Sequence, residues 1–134
     1  MNHDKIPTAE RKYMGDLHAE HMDWKKQLAF YRDELSIFRD RLGEVSAKNN
    51  STEERAGVEH FQNVFIREAE VMDTLVHDIN AHEKVLVDYA KEHPIAVEHT
   101  YFRNHTDLAD RMKRFNELWD EMKHEYNRFL AKWM

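Results

Sequence analysis

The sequence predicts an all-α fold: an elongated, antiparallel, up-down-up bundle of three helices. Three observations carry that expectation. Glycine occurs 3 times and proline 2 times in 134 residues, too few turn-formers for a sheet protein. Apolar residues recur at alternating steps of three and four along three long stretches, the seam of a helix that packs on other helices. Only two breaks interrupt the pattern: GEVSAKNNST at Gly43–Thr52, and KEHP ending at Pro94. The runner-up is a four-helix arrangement, made by breaking one helix or by pairing two chains.

The first helix is expected over about 8–43. Its stripe is Met14, Leu17, His21, Trp24, Leu28, Tyr31, Leu35, Phe38 and Leu42. Pro7 suits the first turn of such a helix and Gly43 its end. The second is expected over about 52–92. Ser51 and Glu54 form the pattern of a capping box, and the stripe runs Val58, Phe61, Phe65, Glu68, Met72, Leu75, Ile79, His82, Leu86 and Tyr89. Pro94 disfavours helix at the residue before it. The third is expected over about 95–133, with Tyr101, His105, Leu108, Met112, Phe115, Trp119, Met122, Tyr126, Phe129 and Trp133 on its seam. Helices of this length span roughly 50–60 Å, and short connections make neighbours antiparallel. One domain accounts for the whole chain.

Lys and Arg total 20 against 26 Asp and Glu, a net charge of -6 with both signs interleaved. No basic block offers a nucleic-acid surface. No apolar run is long enough to span a membrane, and no leader is apparent, so a cytoplasmic protein is expected. Cysteine is absent, which excludes disulfides and thiolate-ligated metals. There is no phosphate loop, no H-E-x-x-H and no nucleophile elbow.

Histidine, at 10 residues, keeps metal chemistry in view. His82 and His105 both occupy seam positions, and antiparallel pairing about the second break sets them level. They are the candidate ligands of a divalent transition metal (zinc, iron or manganese), completed by Asp78 or Glu83 and by His18. Imidazole and carboxylate suit those ions. Asp78 stands four residues before His82, hence on the same face. With the first turn centred near residue 47 or 48, Tyr13 and Met14 approach the same level, and His21 falls about two turns away. The plainer reading is a structural polar layer in which His82 and His105 bond to each other or to nearby tyrosines.

Glu68 is a second inward polar residue, expected level with Trp24, Leu28 and Trp119, whose indoles are potential donors. The Glu121-x-x-His124 spacing is that of carboxylate-bridged di-iron bundles. In architecture and ligand chemistry the chain resembles ferritin-like and hemerythrin-like bundles. It departs from both in having three helices, no second such motif and different spacing of inward histidines, so no residue role carries over.

The function expected is that of a structural or protein-interaction module without catalytic chemistry. The alternative is a metal-binding bundle. Phe30, Ile37, Phe102 and Leu118 widen the stripes, and the aromatic end of the third helix is expected to outrun its neighbours. Both features point to a second copy or another helical protein as partner, with neither nucleic acid nor membrane among the partners.

Overall fold

The computed structural model describes residues 8–92 and 98–134, with side chains described for residues 14–91 and from 100 onward. Three helices account for nearly all of it: α1 (Thr8–Lys48), α2 (Thr52–Glu92) and α3 (Glu98–Trp133). None is broken, and α2 runs straight through Asn80, so the broken-helix runner-up does not hold. Pro7, Pro94 and the expected start of the third helix near residue 95 lie outside the described residues. No described helix is long and apolar enough to cross a membrane.

Cross-helix contacts set the directions. From α1 to α2, His21 meets His82, Arg32 meets Asp73 and Phe38 meets Phe65. From α2 to α3, Phe61 meets Tyr126 and Asp78 meets Arg111. Both sets run antiparallel. From α1 to α3, Tyr31 meets Asn116 and Phe38 meets Tyr126, a parallel register.

The seams become the core. Leu28, Leu35, Phe65, Met72, Leu75, Ile79, Met112, Trp119 and Tyr126 are essentially sealed from solvent. Burying each large apolar side chain is worth roughly 1.5–3 kcal/mol, and this outweighs the modest helix propensity of the many aromatic and β-branched residues. Tyr126 donates its hydroxyl to the Phe38 carbonyl at 2.6 Å. Asn116 accepts from Tyr31 at 2.8 Å and donates to Gln27 at 3.1 Å.

The first turn differs from expectation. α1 does not stop at Gly43; it continues to Lys48. Val45, three residues past Leu42 on the same seam, is fully buried, and that burial favours another turn of helix. Asn49 ends it. Its amide nitrogen Nδ2 donates to the Val45 carbonyl at 3.1 Å and to the Trp133 carbonyl at 2.9 Å, capping α1 and tying down the end of α3. Ser51 then starts α2, its Oγ accepting from the Glu54 N–H at 3.1 Å. The reciprocal half of a capping box is not made by Glu54 Oε1, which is buried without a partner.

This longer α1 corrects two expectations. The aromatic end of α3 does not outrun its neighbours: Trp119 and Tyr126 are buried and Trp133 is partly covered. Glu68 does not take an indole hydrogen bond from Trp119, which donates to Glu34 at 3.1 Å. Partial burial raises the Glu68 carboxyl above its ordinary value, partly offset by Arg67.

Candidate metal centre

Each helix contributes one histidine to a single layer. In α1 the seam reads Leu17, His21, Trp24; in α2, Ile79, His82, Leu86; in α3, Tyr101, His105, Leu108. The side chains flanking each histidine along its seam are buried, so the regular three-four spacing that builds the core also carries all three imidazoles inward. His21 is fully buried and His82 is 8% exposed. The His105 side chain is 12% exposed.

The rings converge through their nitrogens. His21 Nε2 lies 3.2 Å from His105 Nδ1, and His82 Nε2 lies 3.0 Å from the same atom. One ligating atom from each histidine falls within 4.8 Å of the other two. Ring stacking holds the positions: His82 lies on Tyr101 with centroids 4.0 Å apart and planes 7° apart, and Trp24 stacks on His105 at 5.2 Å.

Carboxylates occupy the outward nitrogens. Glu83 Oε2 lies 2.8 Å from His21 Nδ1, while its Oε1 lies 2.5 Å from His18 Nδ1. Glu20 Oε1 lies 3.2 Å from His105 Nε2. Burial by itself raises the Glu83 carboxyl, but hydrogen bonds from His21 and His18 and the charges beside them outweigh it and hold the group below its ordinary value. Glu83 is therefore ionised near neutrality.

An ionised carboxylate only accepts. His21 must carry its proton on Nδ1, facing Glu83, and His105 its proton on Nε2, facing Glu20. In the neutral rings, His21 Nε2 and His105 Nδ1 are then lone pairs pointing at each other across 3.2 Å. Two lone pairs make no hydrogen bond. His82 can relieve one of them by donating from Nε2, which leaves the other unmet.

Burial, the neighbouring His21 and His105, and a weaker opposing pull from Glu83 bring the His82 imidazole down to about 4. His105 is also lowered, by burial and His21 against the opposing pull of Glu20. Both rings are thus neutral near pH 7, the form that ligates metal.

The arrangement fits a small transition-metal ion. Four donors set tetrahedrally at 2.0–2.1 Å stand roughly 3.3 Å from one another, close to the 3.2 and 3.0 Å that separate His105 Nδ1 from His21 Nε2 and His82 Nε2. Three imidazoles, two of them with outward N–H groups on carboxylates, follow the donor and support pattern of such sites.

Of the expected ligands, the structure brings His82 and His105 together. It adds His21, which sequence reasoning placed two turns away. The cause is the longer α1: moving a turn by some residues moves the facing partner by twice as many. Met14, expected at this level, packs one layer farther out with Leu17, Leu86 and Tyr101; the Tyr13 side chain lies outside the described residues. Glu83 and His18 stand behind His21 instead of facing the centre.

Asp78 is not in the cluster. It pairs with Arg111 at 2.8 Å, and that hydrogen bond, against some burial and with help from His77, holds its carboxyl low. His77 is exposed. His124 bonds the carbonyl of Asp120 on its own helix, so Glu121-x-x-His124 takes no part.

The chain matches no family model, no curated protein and no solved structure.

Proposed function

We propose that this protein is a metal-binding helical module that holds one divalent transition-metal ion between His21, His82 and His105. The observation that carries the reading is the convergence of three imidazole nitrogens, from three helices, with carboxylates on two of the outward nitrogens. A cation at the centre would give each of the three inward nitrogens a partner, where now two of them share His105 Nδ1. Of zinc, iron and manganese, an all-nitrogen donor set favours zinc over manganese, which prefers oxygen. A bound ion would supply three helix-crossing bonds, and a position left free for an exogenous ligand.

Zinc titration of the full chain, purified without an affinity tag, tests this. One equivalent is expected to bind. Replacing His21, His82 or His105 by Ala should abolish or sharply weaken binding, while Asp78→Asn should leave it intact. A protein that takes up neither zinc nor iron, or binds equally well without these histidines, sinks the reading.

A second reading, compatible with the first, is an interaction module that pairs with a copy of itself. It is supported by Phe30 and Ile37, 60% and 53% exposed on α1 and seven residues apart, hence on one face. Light scattering should then give a dimer mass that falls to the monomer mass in the Phe30→Glu, Ile37→Glu variant. A monomer at high concentration removes this second reading.

A further inference from the structure

We infer that metal occupancy regulates the order of one end of the bundle: the histidine layer is a metal-gated joint between the main core and the helical end beyond it. This rests on the metal reading above and adds to it what the ion controls.

The histidine layer divides the interior in two. Among the described residues, 19 buried side chains form one continuous cluster from Trp24, Ile79 and Leu108 towards the Asn49 turn. Beyond the layer the described buried side chains are Leu17, Leu86 and Tyr101, with Met14 and Phe102 packed against them. The two clusters are separate because a histidine interrupts the apolar seam of every helix at the same level. Continuity between them runs through imidazoles.

Those imidazoles are a weak joint. Two ring nitrogens, His21 Nε2 and His82 Nε2, crowd one atom, His105 Nδ1, at 3.2 and 3.0 Å, and that nitrogen has a single proton or a single lone pair to offer them. The satellite cluster leans directly on this layer, since the Tyr101 ring lies flat on His82. An ion held by one nitrogen from each helix links all three at the weak level. Local opening of the end then requires release of the ion.

The consequence is local and directional. Without the ion, the end should open while the main core stays closed, since imidazoles and not continuous apolar packing join the two described clusters. With the ion, any opening that breaks the layer is opposed by about the factor 1 + [L]/Kd. The protein would thus convert zinc concentration into the presence or absence of a structured helical end, which is the behaviour of a metal sensor.

Amide hydrogen exchange on the full chain, with zinc in excess and with a chelator, tests this. In chelator, segments 14–20, 83–91 and 100–104 should exchange at least about tenfold faster than segments 28–42 and 108–122. Zinc should slow exchange in those end segments by about the factor 1 + [L]/Kd, with a midpoint equal to that of zinc binding measured by calorimetry. Global unfolding also releases the ion, so core amides that exchange through it slow by the same factor, and the readout is the absolute rate of the end segments. Residues 45–48 and 52–56, at the opposite end, are the internal control: their local opening leaves the layer closed and should keep its rate. The joint is overturned if zinc binds one equivalent yet leaves the end-segment rates unchanged, or if the metal-free protein shows no gap. No zinc binding at all overturns the metal reading itself, and the joint with it.

Discussion

Glu83 does at the scale of one residue what the site most needs. Its two oxygens take the Nδ1 protons of His21 and His18, and so aim the His21 Nε2 lone pair inward. Replacing it by Gln removes the charge and leaves one oxygen and one amide where two acceptors stood. One of the two histidines then meets a donor, and His21 is free to take the other tautomer. The Glu83→Gln variant should bind zinc about 10–100-fold more weakly, the usual cost of losing an outer-layer carboxylate. Competition with a chromophoric chelator measures this. Glu20→Gln should cost less, because that carboxylate is 45% exposed and 3.2 Å from its histidine. Unchanged affinity in Glu83→Gln would show that the carboxylate does not orient the site.

The legibility of these residues in the sequence follows from what each depends on. His82 and His105 were readable because seam position is a property of one helix and the second turn was well bounded. His21 was equally visible on its stripe, but its level depended on the first turn. Asp78 was misplaced for a different reason. Its spacing from His82 is sound, yet a carboxylate goes to the strongest neighbour, and Arg111 on another helix reaches it. One-helix spacing carries no information about such competition.

At the scale of the element, periodicity was a better guide than punctuation. The three stripes match the buried positions because burial of a seam is a sum over a dozen side chains, and no single residue decides it. The end of α1 was decided by few residues and was misread. Gly43 is a common helix stop, but the glycine penalty of about 1 kcal/mol is smaller than the gain from burying Val45. The true stop is Asn49, whose value comes from a bond to the Trp133 carbonyl, 84 residues away. Gly57 makes the same point. It lies inside α2, where glycine is unfavourable, and a Cβ there would overlap the Phe129 ring of α3. The residue trades helix propensity for a close aromatic contact between two helices, a role that only the packed pair reveals. Elements were therefore legible where many weak signals agreed, and illegible where one long-range contact overrode a local preference.

At the scale of the whole molecule, the two ends differ in kind. One is joined by imidazoles, the other by a dense aromatic cluster with Tyr126 at its centre. The Tyr126 ring meets Phe38 of α1 and Phe61 and Phe65 of α2, and its hydroxyl donates to the Phe38 carbonyl. All three helices meet at this side chain, so its ionisation should report on global stability. Burial pushes its phenol up to about 12 from an ordinary value of 10.0, with Arg41 pulling down and Glu44 pushing up. The folded state thus holds the proton at pH values where the unfolded chain has released it. Stability is complete below about pH 10 and falls as pH rises from 10 to 12, since the unfolded state binds fewer protons there. The loss from this group approaches about 2–3 kcal/mol, a large part of a typical domain's 5–15 kcal/mol. Tyr126→Phe separates this from other alkaline titrations. Near neutrality the variant should be less stable by about 1 kcal/mol, the usual worth of the lost hydrogen bond. It lacks the ionising phenol, so its stability should fall less steeply above pH 10. The urea midpoints of the two proteins should converge and then cross before pH 12. Parallel midpoints across that range would mean that Tyr126 keeps an ordinary phenol in the folded bundle, and that the aromatic end is less tightly closed than its packing indicates.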